Sequence, residues 1–376
     1  MKTVGIISEY NPFHRGHAYH IRQAKERTGA DCAVVIMNGD FVQRGEPAIM
    51  DKYTRTEQAL EGGADLVFEL PVRFGISSAG DFAFGGILAL ESLGFIDSVC
   101  FGSEAVHLAP LMEVADILKD EPPTFHDHLE HFLHQGMAYP AARALALNEF
   151  VDLPGDLLQS PNNILGIEYC VALKHLSSSI QPITIPRIGQ DYHGLEDDDA
   201  GYPSATTLRH QIQKTDQPHL VLEDFSSAIG YALLANPDLT CFKDISQDLA
   251  ERFYKYLPNY HSVSAFVRQC NNYSLTSGRI RRGLLQCLLG LKRTEKVMPY
   301  LRLLGMKKEA SSLLSNKENA SCHIISRLAV DRRKLSYKAS ALLHMDTFAS
   351  DIYRQTWCQK YDVELPNEFQ RSPIIH

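Results

Sequence analysis

The chain has 376 residues, 44% of them hydrophobic and 22% charged, and carries a formal net charge of −8. This composition is ordinary for a soluble globular protein, and the length suits two domains or one large domain with an appendage. No apolar stretch reaches the ~20 residues that span a bilayer, and no N-terminal secretion pattern is present, so we expect no membrane contact. Eight scattered cysteines without a Cys-x-x-Cys pair favour a reduced, cytoplasmic protein and argue against a zinc site.

The chain alternates between short apolar runs and helical stretches as far as residue 105. The predicted strands are residues 3–8, 32–37, 65–70 and 98–101, and the predicted helices between them are residues 17–28, 52–61 and 79–93. Strands that alternate with helices of this length form right-handed βαβ units. We therefore predict a parallel sheet.

The rest of the chain is predicted to be mostly helical. One further strand is expected at residues 180–185, a helix begins at Ser204, and the pattern is helical from about residue 224 onward. We therefore predict an α/β protein with two parts. A Rossmann-like, parallel-sheet catalytic domain would span residues 1–220, and a mostly helical C-terminal domain would span residues 221–376.

The net charge conceals two segments of opposite sign. Residues 190–252 hold twelve acidic and four basic side chains, whereas residues 275–338 hold four acidic and fifteen basic ones. A basic surplus of this size attracts a phosphate backbone, and such binding weakens as salt is added. The alternative is a solvated helical surface whose charges pair with the acidic segment.

The segment from Val4 to His17 carries the clearest chemical signal. An apolar run ends at the turn Asn11-Pro12 and is followed by His14-Arg15-Gly16-His17 and a helical repeat. Two imidazoles thus lie where a strand gives way to a helix N-terminus, whose free N–H groups favour an anion. Gly16 leaves room for a ligand near the backbone, and the imidazoles can donate hydrogen bonds to phosphate oxygens. Two ordinary loop histidines that cap the helix are the alternative.

Other polar residues follow the ends of neighbouring predicted strands. Asp40 comes after the second strand, Gly102 after the fourth and Arg187 after the fifth. Ligands of open parallel sheets bind at the carboxyl ends of strands, so these residues are expected on the same rim as His14 and His17. A turn glycine and a structural salt bridge are the alternatives for Gly102 and Arg187.

Two phosphate-binding signatures are visible as resemblances. The segment His14-Arg15-Gly16-His17 resembles the HxGH signature of HIGH-type nucleotidyltransferases. These enzymes catalyse attack on the α-phosphate of ATP with release of pyrophosphate. Residues 204–209, SATTLR, resemble that superfamily's second phosphate element, in which Arg209 supplies a fork of donors. The preceding Tyr202-Pro203 departs from its pattern.

A narrower resemblance covers most of the first 210 residues. The chain is similar to the bacterial tRNA(Met) cytidine acetate ligases. The matching blocks, in the family's order, are residues 9–17, 39–48, 160–169, 186–193 and 204–209, with a looser match at residues 338–343.

The resemblance implies roles for individual residues. His14 and His17 would stabilise the α-phosphate in the transition state, with Asp40 and Arg209 as further catalytic residues. Helix capping is the alternative for Asn162 and Ser204, and a surface position is the alternative for His20. The residues implied in ATP binding are Ile7, Ser8, Glu9, Tyr10, Asn11, Pro12, Phe13, Gly16, His20, Gly102, Asn162, Arg187, Ser204 and Thr206.

The resemblance also implies a reaction. Acetate and ATP, with Mg²⁺ on the phosphates, would give acetyl-adenylate, and the acetyl group would pass to N4 of the wobble cytidine of elongator tRNA(Met). No obligate protein partner is expected. A small-molecule adenylyltransferase would not need the basic segment, and a non-catalytic RNA-binding protein would not need an intact HxGH. The residues expected to contact tRNA are Arg279, Arg281, Arg282, Lys307, Lys308, Arg332, Arg333 and Lys334.

Overall fold

The computed structural model describes residues 1–104, 107–137, 139–151, 157–158, 160–186, 204–315 and 320–376. Within these ranges an eight-stranded main sheet and a separate two-stranded hairpin are present. The strands are β1 (Thr3–Ser8), β2 (Cys32–Asn38), β3 (Phe41–Val42), β4 (Glu46–Pro47), β5 (Leu66–Leu70), β6 (Ser98–Ser103), β7 (Gln181–Pro186), β8 (Tyr300–Met306), β9 (His323–Ile325) and β10 (Ile374–Ile375).

Helices connect these strands and form most of the C-terminal part. No helix of the described ranges is both long and apolar enough to cross a membrane. The helices are α1 (Arg15–Thr28), α2 (Lys52–Glu61), α3 (Val72–Gly75), α4 (Ala79–Leu93), α5 (Ala109–Asp120), α6 (Pro123–His134), α7 (Tyr139–Asn148), α8 (Pro161–His175), α9 (Ala205–Gln213), α10 (Ser226–Ala235), α11 (Gln247–Tyr256), α12 (Val263–Cys270), α13 (Ser277–Leu288), α14 (Ser311–Ser315), α15 (Leu328–Asp331) and α16 (Tyr337–Tyr361).

Five neighbouring strands of the main sheet run parallel, in the order β5-β2-β1-β6-β7. Helices α1, α2 and α4 lie in the first three crossovers and α5 to α8 in the fourth, from β6 to β7, which places the carboxyl ends of all five strands on one rim. The predicted α/β class with a Rossmann-like parallel sheet and a helical C-terminal region is confirmed.

The expectation of an uninterrupted helical pattern after residue 224 is wrong at three short strands. β8 pairs antiparallel with β5, and both β9 and β10 pair with β8. A short apolar run such as residues 300–306 fits a buried strand or a buried helix equally well by periodicity. The C-terminal part thus contributes to the main sheet, and the division between residues 220 and 221 stays a prediction.

The parallel strands are buried on both faces, which explains their continuous apolar sequences. Along β2, Val34 and Ile36 belong to the core that includes α4, whereas Val35 and Met37 belong to the core that includes α1. Alternate side chains of a strand point to opposite faces, so a sheet covered by helices on both sides needs apolar residues at every position.

A buried ion network joins the C-terminal part to the sheet. The Lys52 Nζ lies 3.2 Å from Asp40 Oδ2, 2.8 Å from Glu69 Oε1 and 3.0 Å from Glu368 Oε2. Arg302 of β8 pairs with Glu69 and Glu368. Burial acts to raise the pKa of Glu368, but the two cations outweigh it and hold that pKa at about 2. Three carboxylates share two cations, and burial raises the pKa of Glu69 despite them.

Candidate active site

The HxGH segment forms the start of α1, and its two histidines are held by their own backbone. Nδ1 of His14 accepts a hydrogen bond from the Gly16 N–H at 3.1 Å, and Nδ1 of His17 accepts one from the His14 N–H at 3.3 Å. The rings stack with centroids 3.7 Å apart. Because both Nδ1 atoms accept, a neutral ring carries its proton on Nε2, which makes each histidine a donor at its outer nitrogen.

The turn before α1 is tightly built. Tyr10 adopts a positive φ of 46° and is fully buried. The centroid of its ring lies 4.7 Å from that of His17 and 4.9 Å from that of Phe13. A positive φ at a bulky residue is strained and persists only where the surroundings fix it. A Cβ added at Gly16 would lie 2.9 Å from Cε1 of His14, so any larger residue here would push the His14 ring out of its place.

Helix α9 places a second cationic group beside this turn. Ser204 caps the helix by accepting from the Thr207 N–H at 3.1 Å. Arg209 donates to the backbone carbonyl of Asn11 at 2.8 Å and to Oγ1 of Thr206 at 3.0 Å. The guanidinium therefore joins two segments almost 200 residues apart in the sequence.

A cleft of about 470 Å³ opens at the carboxyl ends of β1, β6 and β7, and we call it the nucleotide cleft. It brings together most of the catalytic and ATP-binding residues predicted from the sequence. Those that line it are Ile7, Ser8, Glu9, Tyr10, Asn11, His14, Gly16, His17, His20, Gly102, Asn162, Ser204, Thr206 and Arg209.

Three of the predicted residues that the structure describes are not part of this lining. Pro12 and Phe13 belong to the turn but not to the cleft wall, and Phe13 packs against Tyr10. Asp40 is buried beside Lys52 in the ion network, which gives it a structural role. Arg187 lies outside the described residues. The catalytic role of Asp40 stays a prediction without support from its position.

Asn162 lies at the opposite wall, in the first turn of α8. Its amide donates to Glu104, whose other carboxylate oxygen accepts from the Asn163 N–H at 3.1 Å. Ser103 donates to the Asn163 side chain at 2.6 Å. The end of β6 is thus fastened to the N-terminus of α8, and Gly102 lies between them in the cleft wall.

Sequence reasoning did not anticipate the residue that supports the cleft from beneath. Arg55 is completely buried, and burial lowers the pKa of its guanidinium. It donates to the carbonyls of Glu9 at 2.7 Å, Asn38 at 3.1 Å and Gly39. Glu9 follows β1, Asn38 ends β2 and Gly39 follows it, so one side chain holds the turn after β1 to the loop after β2. An arginine inside an ordinary helical pattern gives no sequence signal for this.

Several of the basic residues predicted to contact tRNA already have partners in the folded chain. Arg281 pairs with Glu46, Lys307 lies 3.7 Å from Asp65, and Lys334 lies 2.9 Å from Asp331. Arg332 lies over the Phe369 ring, and Arg333 is exposed. Lys308 begins a short 3-10 turn after β8. Of these predicted contacts, Arg279 and Arg282 line a second cleft beside the first.

The nucleotide cleft suits a polyanion. Two imidazoles, the Arg209 guanidinium and the N-terminus of α1 converge on it, and these are the donors that recognise phosphate. The Tyr10 hydroxyl and the Asn11 amide nitrogen are buried and find no hydrogen-bond partner within the described ranges. The arrangement can therefore stabilise charge that develops on a phosphoryl group, without supplying a covalent nucleophile.

Known proteins share this architecture. The model of the HIGH Nucleotidyl Transferase family matches residues 1–365. A tRNA(Met) cytidine acetate ligase of Clostridium novyi (strain NT) is 38% identical over 414 aligned residues, which cover 100% of this chain and 99% of that protein. One of Clostridium perfringens (strain SM101 / Type A) is 33% identical over 409 residues, which cover all of both.

The fold is likewise found in solved structures. The crystal structure of Thermotoga maritima TmcAL bound with alpha-thio ATP superposes with a TM-score of 0.90 at 26% identity, covering 100% of this chain and 99% of that one. The apo form of the same protein gives a TM-score of 0.89 at 27% identity, with the same coverage.

Proposed function

The chain belongs to the HIGH nucleotidyl transferase family and, within it, to the tRNA(Met) cytidine acetate ligases, and from this premise we propose that it activates acetate with ATP and acetylates the wobble cytidine of elongator tRNA(Met). The observation that carries the proposal is the convergence of His14, His17 and Arg209 on one cleft from two distant segments. The family explains why these residue types occur there, and their geometry supports the role that we propose for each.

The first step forms an adenylate. A carboxylate oxygen of acetate attacks the α-phosphorus of ATP, the bond from that phosphorus to the bridging oxygen breaks, and pyrophosphate leaves with the electron pair. Nε2–H groups of His14 and His17 would donate to the α-phosphate oxygens as negative charge builds on them. Arg209, fixed by the Asn11 carbonyl, would bind the departing phosphates.

Magnesium is proposed to enter with ATP. No group of three or more His, Cys, Asp or Glu side chains is arranged to hold an ion within the described part of the chain. Glu9 is the one carboxylate of the described cleft lining. This fits Mg²⁺ held by phosphate oxygens and water, because that ion seldom uses an all-protein cage.

The second step transfers the acetyl group. The N4 amine of cytidine attacks the carbonyl carbon of acetyl-adenylate, the bond from that carbon to the AMP oxygen breaks, and AMP leaves. The amine loses one proton to water. A base in a single-stranded loop can be unstacked and presented to the cleft, which makes an anticodon position a suitable target.

The test measures pyrophosphate release from ATP with acetate, with and without tRNA, followed by mass analysis of the tRNA nucleosides. Acetate-dependent release together with the mass gain of one acetyl group on cytidine is the expected result. Release without a modified nucleoside would overturn the acceptor and favour a small-molecule adenylyltransferase. No release with any carboxylate would overturn the catalytic assignment itself.

A further inference from the structure

A second cleft, larger than the nucleotide cleft, adjoins it. Its volume is about 780 Å³, and Gln43, Ala79 and Ile164 line both clefts. The two cavities are therefore neighbours that share these three residues in their walls. Neither the HxGH chemistry nor the ATP-binding residues use this second space.

Helix α8 divides the two clefts with its two faces. Asn162, Leu165 and Tyr169 line the nucleotide cleft, whereas Glu168 and Val171 line the second cleft. A substrate in the second cleft could therefore reach the nucleotide cleft only past the rim formed by Gln43, Ala79 and Ile164. The two spaces suit two substrates that must meet at one point.

Two arginines of α13, Arg279 and Arg282, line the second cleft. Arg282 donates from Nη1 to the Gln43 carbonyl at 3.3 Å, and its Nε has no hydrogen-bond partner among the described residues. Within those residues no carboxylate lies within 4.0 Å of it, and burial lowers its pKa. Arg279, one turn earlier on α13, lies 3.7 Å from Asp248, a carboxylate whose side chain is 56% exposed.

Other charges of the second cleft are paired with each other. Lys296 lies 2.6 Å from Asp81, and Arg143 pairs with Glu168. The described lining holds four cations and four carboxylates, so it carries no net positive charge. Among these described lining cations, Arg282 is the one without a carboxylate close to it, and its guanidinium can bind a phosphate.

We propose that the second cleft receives the single-stranded RNA segment that carries the acceptor cytidine, with Arg279 and Arg282 on its flanking phosphates. The inference rests on the proposed function, since it needs an RNA acceptor. The half-exposed ring of Tyr139 at the cleft wall offers a stacking surface for an unpaired base. The shared rim at Gln43 is the point at which the cytidine amine meets the adenylate.

The test compares Arg279→Gln and Arg282→Gln with Arg268→Gln, an exposed arginine of α12 that lines neither cleft. Acetate-dependent exchange of pyrophosphate into ATP, without RNA, reports on the nucleotide cleft. Acetylation of elongator tRNA(Met) across a salt series reports on acceptor binding. Each cleft variant is expected to raise the KM for tRNA about tenfold and to reduce the salt slope by about one, with exchange within about twofold of the parent.

The outcomes separate this inference from the proposed function. If the parent protein exchanges pyrophosphate but acetylates no tRNA, the proposed acceptor is wrong. If the parent acetylates tRNA and both cleft variants behave like Arg268→Gln, the function stands and the second cleft is not the acceptor path. Tyr139→Ala and Tyr139→Phe provide an independent check, because only loss of the ring is expected to raise the KM for tRNA.

Discussion

The sequence predicts a functional role for both the turn at residues 9–17 and the basic stretch at residues 275–338. In the structure, the side chains of these two regions have different surroundings. Most of the turn lines one cleft, with Tyr10, His14 and His17 packed ring against ring. The cations of the basic stretch have different surroundings: Arg302 is buried in strand β8, Arg281 pairs with Glu46, and Arg279 and Arg282 line the second cleft.

The difference lies in what each kind of pattern specifies. The spacing of a short motif at a strand–helix junction fixes which side chains share a turn, because the backbone geometry is local. A count of charges fixes a long-range field but not the partner of any one cation. We therefore expect the cations of the basic stretch to divide into some that stabilise the fold and others that bind a ligand.

The largest effect, on the free energy of unfolding, is expected at Arg302, a buried cation of the basic stretch. Arg302→Met leaves Glu69 and Glu368 as buried carboxylates with a single remaining cation, Lys52. Loss of one partner of a buried ion network costs about 3–5 kcal/mol of unfolding free energy. Denaturant unfolding measures this loss of unfolding free energy. Arg333→Met, at an exposed position, should keep the unfolding free energy within about 0.5 kcal/mol of the parent. Equal losses in Arg302→Met and Arg333→Met would contradict the division of these cations into structural and functional ones.

The next effect is expected in the turn. His14→Asn keeps a good N-cap acceptor for α1 but removes the Nε2–H donor. Acetate-dependent pyrophosphate exchange should fall about 100- to 1000-fold, the usual cost of one lost transition-state donor, with thermal stability nearly unchanged. His261→Asn, at an exposed loop histidine, is the matched control. If the variant retained parental exchange, His14 would be a helix cap only.

A smaller effect is expected where α9 meets the turn. Arg209→Lys keeps the charge but cannot donate to the Asn11 carbonyl and a phosphate through one planar fork. We expect a tenfold to 100-fold loss of kcat/KM for ATP in the exchange reaction, consistent with about 1.5–3 kcal/mol for a charge-assisted hydrogen bond. An unchanged value would mean that Arg209 only braces the turn.

The fold was predictable where periodicity and turns agree. The four main-sheet strands before residue 105 and the strand near residue 180 were found because each is a short apolar run between turns and helices, whereas the two-residue strands β3 and β4 were missed. Strand β8 was missed, because an apolar run of seven residues inside a helical region has no distinguishing period. Its partner is a strand more than 200 residues earlier, and no local pattern encodes that distance.

The site was predictable to the same extent. His14, His17 and Arg209 share a cleft as the motifs imply, and Asp40 illustrates the limit. It follows a strand on the correct rim, but the side chain turns inward to a lysine in the next helix. Arg55 shows the converse: its importance comes from three carbonyls that only the folded chain brings within reach.

The smallest effect separates two neighbours on α13. Arg281 pairs with Glu46 of the β3–β4 hairpin at a partly exposed position, so its charge is already matched by a carboxylate. Arg281→Gln should cost about 0.2–1 kcal/mol of stability, and a double-mutant cycle with Glu46→Gln should recover that coupling. Its effect on the KM for tRNA should be clearly smaller than that of Arg279→Gln. If Arg281→Gln weakened tRNA binding more than Arg279→Gln, the RNA would contact the face of the β3–β4 hairpin and not the second cleft. The basic stretch would then bind RNA through a shared surface.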